Sequence, residues 1–136
     1  MLNKLKHKHG EGYIDICVGV VVFVMVLVIA INIFSFISLR VELDQIADDL
    51  ISRATYAGAF DSDFYNRCNA LSNQFSYFDV ETGADQYFNA PCGRVQLGDV
   101  MRVRVITDTY IKGLGVFKIP VRLSVTKSGL SEKYWK

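Results

Sequence analysis

The chain has 136 residues and a formal net charge of +1, and 51% of its residues are hydrophobic. That length suits one domain and leaves little room for two. The hydrophobic residues are unevenly spread, since the 24 residues from Ile16 to Leu39 include no Asp, Glu, Lys, Arg or His. This run excludes an ordinary cytosolic globular protein, because an uncharged stretch of that length is typical of a membrane span.

A short basic leader precedes the apolar run. It contains Lys4, Lys6 and Lys8 and no acidic residue. Positive charge beside a span favours the cytoplasmic side, so we expect a cytoplasmic N-terminus and a C-terminal domain outside the membrane. Arg40, at the other end of the run, is a single opposing charge. The predicted segments are a leader (1–10), a transmembrane helix (11–39) and an extracytoplasmic α+β domain (40–136).

The apolar run is long enough to cross a bilayer. At about 1.5 Å per residue, a helix of this length reaches roughly 36 Å, against a hydrocarbon core of about 30 Å. A secretory signal peptide has a shorter apolar stretch, of about 7 to 15 residues, which disfavours that alternative. Val and Ile are abundant in the run, as in strands in water, but in lipid only a helix satisfies its own backbone polar groups. We therefore expect one spanning helix.

The helix is predicted to continue beyond the span with one apolar face. After Leu39, apolar residues recur at spacings of three and four, with acidic residues mostly between them. These apolar positions are Leu43, Ile46, Ala47, Leu50, Ile51 and Ala54. We expect one helix from about Ile14 to about Ala57, ending at Gly58. Asp61 is the predicted N-cap of a second, shorter helix. The apolar face of that helix carries Phe64, Cys68, Leu71 and Phe75.

The rest of the chain has the two-residue period of β-strands. In the clearest run, Met101, Val103 and Val105 alternate with arginines. The predicted strands are 75–80, 94–97, 100–110 and 117–126, with turns at 81–83, 98–99 and 112–115. Pro120 lacks a backbone donor, so the last strand is expected at a sheet edge or with a bulge. An antiparallel sheet packed on the amphipathic part of the long helix gives a two-layer α+β fold.

Charge is divided between the two predicted layers. Residues 41–63 carry a net charge of −5, and residues 94–136 carry +6. One interpretation is that both segments simply present solvated faces. The other is that the acidic helix meets the basic sheet, within one subunit or between subunits. Exposed ion pairs contribute about 0 to 1 kcal/mol each, so such contacts orient partners more than they drive assembly.

The three cysteines are interpreted by their location. Cys17 lies in the apolar run, where it is expected to act as a small hydrophobic residue. Cys68 and Cys92 fall in the predicted outer domain, where an oxidising compartment favours a disulfide between them. The alternative is two separate thiols. No metal site is predicted, because His7 and His9 lie across the membrane from both of these cysteines.

The sequence carries no catalytic signature. Both histidines are in the leader, and the Gly113-Leu114-Gly115 segment is typical of a hairpin turn rather than a dinucleotide-binding loop. Basic and aromatic residues near the C-terminus, including Trp135, are compatible with nucleic acid, but residues 41–136 have a net charge of only −1. We therefore expect a non-enzymatic protein without cofactors or a small-molecule substrate, and a nucleic-acid partner is disfavoured.

Asp15 stands at the threshold of the apolar run. One interpretation is a hydrated carboxylate at the membrane interface, with the span starting at Ile16. The other depends on a cut after Gly10, which makes Glu11 the first residue and Asp15 the fifth. The carboxylate could then pair with the free amino terminus of an adjacent helix and fix the axial offset between subunits.

At these residues the sequence resembles the type IV pilin-like proteins, and most closely the TadE-like minor pilins and pseudopilins. In that family a basic leader ends in Gly, prepilin peptidase cuts after it, and an acid, usually Glu, occupies the fifth mature position before a long helix. Here Gly10, Glu11 and Asp15 take those places, and the resemblance covers residues 4 to about 57. The Gly-Glu-Gly-Tyr-Ile-Asp start is also similar to small pilin-like proteins of Gram-positive conjugative elements. Gly12 is a second possible cut site, which would put Asp15 at position three.

The resemblance implies a structural subunit processed by prepilin peptidase and assembled into, or initiating, a pilus or pseudopilus. The system served would be one of adherence, secretion or conjugation, and the partners would be the membrane, prepilin peptidase and other pilin-like subunits. The alternative is an uncleaved single-pass protein whose outer domain is a binding module of a conjugation or secretion machine.

Overall fold

The computed structural model describes residues 8–75, 77–113 and 117–136, and it confirms the predicted α+β fold class. Two helices are followed by a three-stranded antiparallel sheet in the order β1-β2-β3. The elements are α1 (Lys8–Ala57), α2 (Ser62–Gln74), β1 (Asp79–Ala84), a 3₁₀ turn (Ala90–Cys92), β2 (Val100–Gly113) and β3 (Phe117–Leu130).

The chain divides into two compact units. The first contains Met1–Phe36 and Ile111–Ile119, and the second contains Ile37–Tyr110 and Pro120–Lys136. Most of the apolar run thus belongs to the first unit, together with the end of the β2–β3 hairpin. The second unit holds the amphipathic part of α1, all of α2 and most of the sheet.

Helix α1 is longer at its N-terminus than the sequence predicted. It begins at Lys8 instead of about Ile14 and continues through Gly10 and Gly12. Extending an existing helix adds one hydrogen bond per residue, which outweighs the weak helix propensity of these glycines. The predicted end is confirmed, since Gly58 has a φ of 64° and its N–H donates to the Ala54 carbonyl at 2.8 Å.

Helix α2 confirms the predicted cap and buried face. The Asp61 side chain accepts a hydrogen bond from the Phe64 N–H at 3.0 Å, which satisfies one of the donors left free at a helix start. Phe64, Cys68 and Leu71 are buried on one face. Phe75 follows as the half-buried C-cap, and its N–H donates to the Leu71 carbonyl at 2.8 Å.

The first strand is displaced from its predicted place. The predicted strand at 75–80 contributes only its last two residues, and the predicted turn at 81–83 lies inside β1. Glu81 pairs with Arg104, and Gly83 pairs with Arg102 of β2. Pairing with β2 therefore overrides the local turn propensity of the Glu-Thr-Gly sequence.

The predicted strand at 94–97 is wrong. Arg94 forms isolated bridges with Ala59 and Asn89, and the Val95 N–H donates to the Gly58 carbonyl at 2.8 Å. The backbone of this segment is thus used to hold the turn between the helices. The turn predicted at 98–99 is confirmed, since Gly98 has a φ of 85°.

The hairpin strands follow the predicted alternation most closely in β2. Met101, Val103 and Val105 are buried, and the arginines between them are exposed. In β3, among the described side chains on the same side as Leu123, only Leu123 is buried. The strand is at the edge of the sheet, as Pro120 predicted. Of the predicted turn at 112–115, Lys112 and Gly113 belong to β2, and residues 114 and 115 lie outside the described residues.

The core of the second unit lies between α1, α2 and the inner face of the sheet. Every apolar position predicted on the amphipathic part of α1 is buried, with Ala47, Leu50 and Ala54 at 0% exposure. Burying a side chain such as Leu contributes about 1.5–3 kcal/mol, so this face supplies much of the stability of the unit.

Candidate functional site

The residues predicted for processing and assembly all lie in the first turns of α1. Gly10, Glu11 and Asp15 are part of the same continuous helix as the apolar run. Asp15 is exposed, and among the described side chains it forms no ion pair. Its carboxylate is therefore accessible to a group from another molecule.

The apolar run of α1 is uncovered. Its most apolar window has a mean hydropathy of 3.1 and none of it is buried. Large side chains along it are strongly exposed, including Ile16 at 67% and Phe34 at 72%. By length and composition the helix can cross a membrane. A surface of this kind is matched by lipid tails or by neighbouring apolar helices.

Asn32 is a residue of this surface that the sequence analysis missed. It carries the only carboxamide side chain between Ile16 and Leu39, and that was the available signal. Its Nδ2 donates to the Val28 carbonyl at 2.8 Å, one turn earlier. A carboxamide has further hydrogen-bonding capacity, and such groups join helices across a membrane interface.

Lys127 joins the sheet to the acidic face of α1. Its Nζ lies 2.9 Å from Asp44 Oδ1 and 3.1 Å from Asp48 Oδ1. The hydrogen bonds that Lys127 donates to Asp44 and then to Asp48 raise the pKa of Lys127 above its ordinary value, so the ammonium stays charged at neutral pH. The two aspartates are four residues apart and share one helix face. At this contact the acidic helix meets the basic sheet within one subunit, which is one of the two arrangements considered from the sequence.

The sheet arginines behave differently. They pair with acids of the sheet and of the segment after β1 rather than with α1: Arg102 with Asp85 at 2.8 Å, Arg104 with Glu81 at 3.5 Å, and Arg122 with Asp108 at 2.8 Å. The hydrogen bond from Arg122 lowers the pKa of the Asp108 carboxyl. All these side chains are largely exposed, so the pairs orient the strands and contribute little stability.

The C-terminal tail contacts the chain just after the end of α1. Trp135 Nε1 donates to the Gly58 carbonyl at 3.1 Å, and its backbone N–H donates to Gln96 Oε1 at 2.7 Å. Arg94 Cζ lies 4.5 Å and Lys133 Nζ lies 4.7 Å from the centre of the Trp135 ring, and both distances are within the range of cation–π interactions. Trp135 is therefore engaged in holding the tail, a role that the sequence analysis missed.

An open cleft of about 610 Å³ lies beside this tail in the second unit. Phe60, Tyr65, Tyr87, Cys92 and Arg94 are among the residues that line it. Among the described residues, no group of three or more His, Cys, Asp or Glu side chains is placed to hold a metal ion. The cleft has the size and aromatic lining of a site for a peptide segment or a small molecule.

The predicted disulfide between Cys68 and Cys92 is not formed in the structure. Both are free thiols, Cys68 buried on α2 and Cys92 exposed in the 3₁₀ turn. Cys68 is part of the apolar face of α2, whereas Cys92 lines the open cleft. Burial raises the pKa of the Cys68 thiol to about 11, so it remains protonated at neutral pH.

These environments predict different thiol reactivities. In the folded protein in detergent at neutral pH, maleimide is expected to label Cys92 rapidly and Cys68 only after unfolding, because the thiolate is the reacting form. Peptide mass spectrometry of the labelled chain measures this, and a Cys68→Ser variant is the control. Reduction-dependent labelling of both residues would mean instead that they are bonded.

Comparison with known proteins adds one match. No curated protein and no solved structure matches the chain. The family described as "Domain of unknown function (DUF4320)" matches residues 20–136, which include most of α1 and of the apolar run, all of α2 and the whole sheet. The chain therefore belongs to the DUF4320 family.

Proposed function

We propose that the chain is a membrane-anchored, pilin-like structural subunit of the TadE-like kind. In this proposal prepilin peptidase cuts after Gly10, and the mature subunit assembles into, or initiates, a pilus or pseudopilus of an adherence, secretion or conjugation system. The N-terminus faces the cytoplasm and the α+β domain lies outside. The observation that carries the proposal is the uncovered apolar part of α1, with Asp15 exposed at its start.

The continuity of α1 supports this function. The helix presents an uncovered apolar surface along the run, and in the second unit the same helix buries Leu43, Ala47 and Leu50 in the core. In such a subunit, the helix that can pack against neighbouring subunits is also the helix that forms part of the core of the folded domain. That arrangement suits helix-to-helix assembly, with Asn32 able to add a hydrogen bond within lipid.

The proposed cut requires α1 to unwind locally. Gly10 and Glu11 lie in the helix, and a peptide bond in regular helix does not fit an extended protease site. Glycine is about 1 kcal/mol less favourable than alanine in a helix, so the two glycines at 10 and 12 make this the easiest stretch to open. The segment is thus suited to processing despite its helical conformation.

Intact-mass analysis tests the proposal. When the full chain is expressed with a prepilin peptidase, we expect loss of residues 1–10 and a mature chain that begins at Glu11. Gly10→Val is expected to block the cut. Gly19→Ala, further along α1, is the matched control and should be cut normally, since a Cβ at Gly19 meets nothing within 4 Å. A mature chain that keeps residue 1, or begins at Tyr13, would contradict the register.

A second candidate is an uncleaved single-pass protein whose outer domain binds a partner in a conjugation or secretion machine. The cleft of about 610 Å³ beside Trp135 favours it, because the cleft offers aromatic side chains and Arg94 to a peptide segment. In that case all variants keep residues 1–10, and no high-molecular-weight assembly of the chain forms.

A further inference from the structure

The end of the β2–β3 hairpin lies in the same compact unit as the apolar part of α1. That unit combines Ile111–Ile119 with the helix as far as Phe36. Since this part of the helix is the part that can cross a membrane, the hairpin end is placed beside a membrane-spanning segment. A hairpin end in such a position meets lipid rather than bulk water.

The flanks of this hairpin turn are unusually apolar for a position in water. From Tyr110 to Pro120 the sequence has no acidic residue, two lysines and a majority of apolar residues. Hairpin turns in water favour Asn, Asp and Gly, with polar flanks. Of the described side chains, Ile119 is 58% exposed and Lys118 is exposed, so an apolar group and a cation are both presented outward.

The apolar run of the helix ends beside charged side chains of the sheet. Leu39, the last residue of the run, lines a cavity of about 380 Å³ together with Asp79, Asp108 and Arg122. Ile119 is three residues beyond Arg122 along β3, or about 10 Å further toward the hairpin end. Beyond Arg122 the remaining charge of β3 toward the hairpin end is that of Lys118, next to Ile119.

We infer that the hairpin end, through Ile111, Lys118 and Ile119, inserts into the interface of the bilayer that α1 crosses. Ile119 contacts the boundary between headgroups and acyl chains, and Lys118 extends its ammonium to anionic headgroups. The sheet is then held to the membrane at a second point besides the helix. This inference depends on the membrane anchor and needs neither cleavage nor assembly.

Quenching by brominated lipids tests the inference. The full chain, whose one tryptophan is Trp135, is reconstituted in vesicles of equimolar phosphatidylcholine and phosphatidylglycerol with brominated acyl chains. Ile119→Trp adds a second tryptophan at a side chain that is already exposed. We expect a loss of its emission, and a shift to shorter wavelength, relative to unbrominated vesicles. The matched control, Ser128→Trp, places the added ring about 30 Å away on the same strand and should show neither change.

Three further outcomes decide the inference. In the Ile119→Trp background, Lys118→Glu is expected to reduce quenching in the anionic vesicles and to have a smaller effect in pure phosphatidylcholine. Quenching of Ile119→Trp no greater than that of Ser128→Trp would overturn the inference. A shift to shorter wavelength that depends on protein concentration and not on bromine would assign the surface to a second copy of the chain instead.

Discussion

Replacing Gly129 with alanine is expected to destabilise the α+β domain by about 1–3 kcal/mol, the usual cost of overpacking a close contact. A Cβ at this position in β3 would lie 2.6 Å from the Cγ2 of Thr55 on α1. The next atoms it meets, Ile51 Cγ1 at 3.5 Å and Thr55 Cβ at 3.8 Å, are at ordinary contact distances. The expected cost therefore comes from one methyl group.

The cause can be tested by removing that methyl group. Thr55→Ser deletes Cγ2 and keeps the hydroxyl, which donates to the Ser52 carbonyl at 3.0 Å. In the double variant Thr55→Ser with Gly129→Ala, the loss in the free energy of unfolding should be smaller than the sum of the losses in the two single variants. Urea unfolding in detergent, followed by the emission of Trp135, measures the free energy of unfolding. Ser128→Ala, at an exposed neighbour, should stay within about 0.5 kcal/mol of wild type. Additive effects in the double variant would show that β3 does not pack against Thr55 in this way.

This contact is one of several between β3, or the tail after it, and α1. Lys127 meets Asp44 and Asp48, and the Glu132 N–H donates to the Thr55 carbonyl at 2.9 Å. Gly129 follows Lys127 by two residues on the same side of the strand, so the strand lies close to the helix at Gly129 and is joined to it by ion pairs at Lys127.

The parts of the fold that the sequence predicted well depend on regular periodicity. The three-and-four spacing from Leu43 to Ala54 and the alternation from Met101 to Val105 each report which side of an element is buried. The position of β1 was wrong, because the Glu-Thr-Gly stretch has a local turn preference that pairing with β2 overrides. The start of α1 was also wrong, since helix extension through Gly10 is not visible in composition.

The candidate functional residues also differ in whether the sequence could predict them. Gly10 and Asp15 could be proposed as functional residues from the sequence, because that proposal depends only on their distance along the chain from the apolar run. Lys127 and Trp135 were missed because their partners lie 83 and 77 residues away. The predicted disulfide is absent from the structure for a related reason: the prediction used only the compartment expected for Cys68 and Cys92, whereas the fold buries Cys68 on α2 and leaves Cys92 exposed in the 3₁₀ turn.

Asp15→Ala is expected to abolish assembly while leaving membrane insertion and processing intact. If the carboxylate of one subunit pairs with the amino terminus of its neighbour in a low-dielectric environment, removing it leaves that ammonium unpaired. Breaking one partner of a buried ion pair costs about 3–5 kcal/mol, which corresponds to at least about a 100-fold loss in each subunit contact. The exposed position of Asp15, without a partner among the described side chains of its own chain, is what makes an intermolecular partner available.

Two matched variants separate charge from shape at this position. Asp15→Asn keeps the size of the side chain and removes the charge, so it should fail as Asp15→Ala does. Asp15→Glu keeps the charge on a chain one methylene longer, and should assemble. The measurement is the fraction of subunit recovered in high-molecular-weight species after crosslinking in membranes, at equal expression and with the mature mass checked for each variant. Normal assembly of Asp15→Ala with correct processing would remove the ion pair from the mechanism. Helix packing through the apolar surface of α1 would then be sufficient for association, and Asn32 would be the next residue to replace.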